Sequence, residues 1–196
     1  AANGVKVHLY RELMPTPALS FAVRELGCDT GVVITASHNP AAYNGFKAYD
    51  PTGCQIGTDI ADAVQQEILG TDLFEGVRCA DFDKAMEDGL IQYIPDSFVK
   101  EYLNRVYAQA LEPRVCAKAG LKLVYTPLNG AGNQCVRHVL ERLGIEDVTV
   151  VPEQEHPDGN FPTCPYPNPE SRAALELGLR LCEETGADLL LGHQVG

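Results

Sequence analysis

From residue 121 onward the chain repeats one pattern, a short apolar run followed by an amphipathic stretch, and that order limits its fold more than any other feature. The run "LKLVY" (121–125) leads through the turn "TPLNGAGN" into a helix expected over 133–143, with Val136, Val139, Leu140 and Leu143 at helical spacing. "DVTVV" (147–151) follows. A proline-rich connector then leads to a second helix over 170–185, bounded by an Asn168 cap, Pro169 and Gly186, and to "ADLLL" (187–191). This β-α-β-α-β order predicts a parallel sheet joined by right-handed crossovers.

The first half is α/β as well. "VKVHLY" alternates, placing Val5, Val7 and Leu9 on one strand face and His8 on the other. Thr16 and Pro17 read as cap and first turn of a helix carrying Leu19, Ala22, Val23 and Leu26, stopped by Gly27. "TGVVITA" (30–36) reads as a buried strand. Thr58 or Asp59 opens a helix with Ile60, Ala63, Val64 and Ile68 on one face, whereas 70–92, rich in Asp, Glu and Gly, reads as irregular connection. Pro95-Asp96 starts a helix to about Leu111, closed by Glu112-Pro113. The 196 residues, 45% hydrophobic and 21% charged, can fill one core or two modest ones. The expected division is 1–92 with a mixed sheet and 93–196 with the parallel one.

Charge and cysteines narrow the class. A net charge of -12 argues against a nucleic-acid or anionic-membrane surface, so an anionic ligand must be held by a few local donors. No apolar run reaches membrane-spanning length. Seven cysteines (28, 54, 79, 116, 135, 164 and 182) form no C-x-x-C pair, which fits neither a disulfide framework nor a thiolate zinc site and predicts a reducing, cytoplasmic compartment. Nothing in the sequence sets an oligomeric state.

Chemistry concentrates in "ITASHNPAAYNGFK" (34–47), which follows a predicted strand end, where ligands gather in open α/β sheets. On residues alone Ser-His-Asn-Pro is a competent turn sequence, with Tyr43 or Phe46 packed beneath it and Lys47 solvated. A hydrolase triad is a poor fit: adjacent Ser37 and His38 cannot readily face each other as nucleophile and base, and no G-x-S-x-G elbow is present. Gly130 and Gly132 lie between strand and helix without a G-x-G-x-x-G or Walker pattern, so they read as a tight turn. The scattered histidines 8, 138 and 156 have no metal-ligand spacing.

"TASHNPAAYNGFK" resembles the phosphoserine loop of the α-D-phosphohexomutases, the phosphoglucomutase and phosphomannomutase family. "LMPTPALSFAVRELGCDTGVVITASHNP" resembles its first domain, and "LVYTPLNGAGN" and "PDGNFPTCPYPNPE" its second, particularly in bacterial long-form phosphoglucomutases. The resemblance covers nearly the whole chain. It implies two phosphohexomutase-type α/β domains, both incomplete, from an isomerase of carbohydrate metabolism acting on a sugar phosphate. Ser37 would carry a phosphoryl group, His38 and Lys47 would be polar partners with Lys47 a candidate acid/base, and Asn39, Asn44 and Gly45 would shape the loop. It further implies Mg2+, ligated in part by Ser37 through its phosphate, and glucose 1,6-bisphosphate as activator.

One departure stands out. After a strand like "GADLLL" the family has an acidic, magnesium-holding loop, and here "GHQVG" contains no carboxylate. His193 reads as a solvated residue of a terminal tail. The chain also opens without Met and has nothing corresponding to the family's sugar-reading third and phosphate-binding fourth domains. Two expectations follow: a fragment, inactive alone, of a phosphohexomutase that interconverts hexose 1-phosphate and hexose 6-phosphate, glucose phosphates first, through a phosphoserine and a bisphosphate intermediate, or a non-catalytic truncated or degenerate paralogue that binds phosphosugar or a partner. The sequence does not choose among glucose, mannose, glucosamine and pentose phosphates.

Overall fold

A computed structural model describes residues 1–193. Among the described residues seven strands and seven α-helices are interspersed along the chain. The first half holds β1 (Val7–Leu9), α1 (Thr16–Glu25), β2 (Gly31–Ile34), β3 (Phe46–Tyr49), α2 (Thr58–Gly70), α3 (Phe82–Glu87) and β4 (Ile91–Tyr93). Then come α4 (Asp96–Tyr107), α5 (Pro113–Ala119), β5 (Lys122–Thr126), α6 (Asn133–Arg142), β6 (Asp147–Val150), α7 (Glu176–Thr185) and β7 (Leu189–Gly192). No described helix is long and apolar enough to cross a membrane.

The β-α-β-α-β run folds as a parallel sheet in the order β6-β5-β7, so β5 has a neighbour on each edge. Leu123 packs with Leu140 and Ile145 on the α6 side. On the other side α7 comes close enough that a Cβ on Gly178 would run into Leu190. Gly186, at φ 66°, ends α7, and the Ala187 N–H returns to the Cys182 carbonyl, a left-handed stop open to glycine without strain.

The first half contains strands of both senses, in two separate pairs. β1 runs parallel to β4, and β2 antiparallel to β3. Region 70–92 is therefore not wholly irregular: Asp81 caps α3 through its side chain, accepting from the Lys84 N–H at 2.8 Å, and β4 is recruited by pairing with β1. Short helices and three-residue strands leave little periodicity to read. "TGVVITA" is not buried on both faces. Gly31 packs on Val23 and Leu19 of α1, but Val32 is 45% and Ile34 61% exposed. Tyr43 and Phe46 are likewise exposed rather than packed beneath the loop.

Three helix boundaries also differ from expectation. Pro15, extended at ψ 148°, is the cap of α1, and Thr16 lies inside the helix without a capping bond. α4 stops at Tyr107, and Pro113 opens α5 instead of closing α4, since a proline at the first helical position forfeits no hydrogen bond. Asn168 caps no helix. Its Oδ1 and carbonyl accept from the Glu170 and Ser171 N–H groups in a turn, a 3-10 segment covers Arg172–Leu175, and α7 begins at Glu176.

The two halves meet in a shared core. Ala18 and Phe21 of α1 pack on Tyr102 and Leu103 of α4, with Phe98, Cys135 and Val139 around them. The Phe21 ring lies 5.2 Å from that of Phe98 and 5.5 Å from that of Tyr102. This contact joins the two halves, and residues of the Ser37 loop and of the β5–α6 turn line one cleft.

Candidate active site

Loop 35–45 is closed at its base by the Thr35 N–H donating to the Gly45 carbonyl at 3.0 Å. The backbones approach so closely there that a Cβ on Gly45 would run into the Thr35 carbonyl oxygen, and only glycine fits. The Ser37 N–H donates to Thr35 Oγ1 at 2.9 Å, the Asn39 N–H to the Ala36 carbonyl at 3.1 Å, and the Gly45 N–H to Asn44 Oδ1 at 2.9 Å. These bonds hold Ser37 at φ 55°. Such a conformation costs a residue with a Cβ about 1–2 kcal/mol.

Among the described residues four non-glycine residues take positive φ: Ser37, Leu128 (51°), Asn129 (58°) and Phe161 (47°). They gather at one place. Ser37, Asn129 and Phe161 all line a single cleft of about 600 Å³ between the halves, and Leu128 adjoins Asn129. Backbone strain concentrated in this way marks a site more specifically than volume does. A larger hollow of about 730 Å³ along α6 and β6, lined by Arg137, His138 and Glu141, has none of these residues.

The far wall is built on buried polar bonds. Gln154, 1% exposed, accepts from Thr126 Oγ1 at 2.7 Å and donates through Nε2 to Thr163 Oγ1 at 3.1 Å, while its carbonyl accepts the Asn129 N–H at 2.9 Å. Thr126 Oγ1 also accepts the Leu128 N–H, and Asn129 Nδ2 donates to the Glu153 and His156 carbonyls. Each polar group named has a partner, so the network is rigid. It presents Asn129, Gly130, Asp158 and Gly159 across the cleft from Ser37. Gly130 and Gly132 lie in a tight turn, as their spacing suggests.

His38 lies beside Ser37, its Nδ1 3.4 Å from the Ser37 Oγ, and its ring meets Tyr166 of the proline-rich connector edge to face. Asn39 and Asn44 line the cleft. Lys47 is not in the loop: it pairs with Val33 in the β2–β3 ribbon, half-buried and outside the cleft walls. His8 is exposed at the cleft rim, and His138 and His156 are exposed elsewhere. His193 is half-buried rather than solvated. Its N–H donates to the Thr126 carbonyl at 3.0 Å, and its ring lies where a Cβ on Gly132 would be. Tyr10, also in the wall, donates to the Ala18 carbonyl, and burial, with Tyr102 and Cys135 adding to it, pushes its phenol well above the usual range.

The sequence did not point to Thr35, Gln154 or Tyr166. Only the Asn129-Gly130 pair carried a local signal, that of a turn. Among the described residues no three His, Cys, Asp or Glu groups come together, and β7 ends at Gly192 with His193 after it, neither a carboxylate. Residues 194–196, the remainder of "GHQVG", lie outside the described residues.

Comparison with known proteins supplies the lineage. A family model described as phosphoglucomutase/phosphomannomutase, alpha/beta/alpha domain I matches residues 1–74, and that for alpha/beta/alpha domain II matches 100–194. The chain is 37% identical over 205 residues to a phosphoribomutase of Saccharomyces cerevisiae, covering 97% of this chain and 33% of that protein. It is 34% identical over 191 residues to a phosphoglucomutase of Staphylococcus saprophyticus, covering 97% and 34%. The chain thus spans about a third of the length of these curated relatives. A crystal structure of a phosphoglucomutase/phosphomannomutase family protein from Burkholderia thailandensis shares the fold, with a TM-score of 0.67 at 24% identity over 99% of this chain and 39% of that one. On these matches the chain belongs to the phosphoglucomutase/phosphomannomutase family and carries sequence of its domains I and II.

Proposed function

We propose that this chain contributes the phosphoryl-carrying part of a mutase that interconverts hexose 1-phosphate and hexose 6-phosphate, with Ser37 as the carrier. The observation that carries this reading is Ser37 itself, held at φ 55° on the wall of a cleft formed by both halves with His38 Nδ1 3.4 Å from its Oγ.

In the proposed step Ser37 Oγ attacks a phosphorus of a sugar bisphosphate. The Oγ–P bond forms, the P–O bond to the sugar breaks, and the serine proton passes by way of His38 to the departing sugar oxygen. The reverse step at the other end of a bound monophosphate returns the phosphoryl group and completes the exchange. Geometry favours His38 over Lys47 for the proton. Lys47 makes no ion pair among the described residues, so its charge is available to offset a phosphate at the loop. Asn39 and Asn44 offer carboxamide donors to sugar or phosphate oxygens. No step is assigned to Mg2+, and glucose 1,6-bisphosphate serves as donor and activator for glucose phosphates.

A second reading, phosphosugar binding without turnover, is favoured by the Gly192–His193 end of β7, where no carboxylates gather. One experiment separates the two. The 196-residue chain is incubated with glucose 1,6-bisphosphate and mapped by phosphopeptide mass spectrometry, with a coupled glucose 1-phosphate to glucose 6-phosphate assay alongside. Slow phosphorylation at Ser37 alone is expected, abolished in Ser37→Ala, with no appreciable turnover by this chain. Stoichiometric phosphate elsewhere, or none on Ser37, would overturn the carrier assignment.

A further inference from the structure

The proline-rich connector of the second half reaches the Ser37 loop through one side chain. The Tyr166 and His38 rings meet with centroids 5.9 Å apart and planes at 84°, the perpendicular arrangement that aromatic quadrupoles favour. The same imidazole has its Nδ1 3.4 Å from Ser37 Oγ. The histidine thus contacts both the hydroxyl and the tyrosine ring.

Tyr166 is itself held from several directions. Its carbonyl accepts from the Cys164 thiol at 3.1 Å and the Asn168 N–H at 2.8 Å. Cys164 is buried beneath the connector with Leu128 and Ala174, and its N–H donates to the Phe161 carbonyl at 3.1 Å. Thr163 is tied to the buried amide of Gln154. A histidine ring has a broad, shallow preference in its outer torsion, so a ring packed edge to face against it narrows the orientations it takes.

We infer that Tyr166 is a positioning residue for His38: it holds the imidazole in the rotamer that keeps Nδ1 against Ser37 Oγ. This rests on the reading of Ser37 and His38 as the reacting pair. Because Tyr166 belongs to the second half, the geometry at Ser37 depends on both halves being docked. Phenylalanine at 166 keeps the ring wall and the effect, whereas alanine or leucine removes it.

The test is nuclear magnetic resonance on the isotope-labelled 196-residue chain, with His38 assigned by loss of its signals in His38→Gln. The readout is the set of three-bond couplings of His38, which report whether its side chain holds one rotamer, together with its cross-peaks to the Ser37 methylene. Tyr166→Ala and Tyr166→Leu are expected to average the couplings and weaken the cross-peaks, and Tyr166→Phe to keep both at wild-type values. The backbone amide spectrum checks the fold of each variant, and the leucine variant preserves apolar bulk if alanine loosens the connector. Unaveraged couplings with intact cross-peaks in the leucine or alanine variant would overturn the inference. A wild-type chain that takes no phosphate at Ser37 would overturn the carrier assignment instead, and the His38 couplings would still decide this one.

Discussion

Strand β5 and strand β2 of the β2–β3 ribbon are both short, apolar and carry β-branched residues, yet Val124 and Tyr125 are fully buried while Val32 and Ile34 are exposed. The difference lies in what surrounds them. β5 has β6 and β7 on its edges, α6 over one face and α7 over the other. The ribbon has α1 against one face, whereas on the other Val32 and Ile34 border the open Ser37 cleft and Phe46 is exposed. α2 tells the same story, with Ile60, Val64 and Ile68 on one helical face and no buried residue. An apolar pattern states what a face could bury, and burial itself requires an opposing layer.

The largest expected effect is at the centre of the closed half. Val124→Asp would place a carboxylate at a position with 0% exposure, in the middle strand of the parallel sheet. Burying an unpaired charge costs several kcal/mol, comparable with the whole stability of a domain. Cooperative unfolding of the second half by circular dichroism should be lost, together with amide-exchange protection of β5, β6 and β7. Wild-type melting of this variant would mean that the sheet is not sealed.

A step smaller is the junction. Phe21→Ala removes a ring packed on Phe98 and Tyr102 and should cost about 3–5 kcal/mol. Exchange protection should fall in α1 and in α4 together, because the cluster belongs to both halves. Loss confined to α1 would show that the halves do not share a core.

That contrast also explains what could be read beforehand. The parallel run from 121 to 191 was legible because short apolar strand runs alternate there with ten-residue amphipathic helices, and glycines and prolines mark the ends. β3, α3 and β4 were not legible: they span three to six residues, and β4 exists through its pairing with β1, some eighty positions away in sequence. At the candidate site, Ser37, His38 and the glycine at 45 were found through motif resemblance. The left-handed conformations of Leu128, Asn129 and Phe161 were hidden, since only Asn129 is of a type that favours them. Gln154 was hidden for a related reason: a glutamine between two acids reads as surface, and its burial depends on Thr126 and Thr163 supplying partners from distant segments.

A smaller effect still is expected from alkali. Burial, with Cys135 adding to it, pushes the Tyr102 phenol up from 10.0 to about 12, and burial raises Tyr10 and Tyr125 in the same direction. A folded pKa above the unfolded one favours the native state while the phenol is protonated. The contribution of Tyr102 is therefore complete below pH 10.0 and is lost as pH rises towards about 12. Melting temperature should fall through that window in the wild-type chain, and Tyr102→Phe should make the fall shallower without abolishing it, because Tyr10 and Tyr125 remain. An unchanged slope would place Tyr102 in contact with water and open the junction core.

The smallest effect is the one that most sharpens the comparison. Ile34→Asp introduces the same carboxylate as Val124→Asp, but at a side chain 61% exposed on the ribbon face turned away from α1, beside the Ser37 cleft. An exposed carboxylate keeps its hydration and leaves no cavity, so stability should change by no more than about 0.5 kcal/mol in denaturant titration. Binding of a hydrophobic dye should fall at the same time, because Val32, Ile34 and Phe46 form a bare apolar patch that the aspartate interrupts. Val33 and Lys47, paired on the opposite face, should keep their amide-exchange protection. A loss of a kcal/mol or more would mean that the outer face is covered in solution, and sedimentation of the wild-type and Ile34→Asp chains would then show whether a second copy covers it. With dye binding reduced and stability unchanged, the ribbon stands as an apolar surface held in place from one side alone.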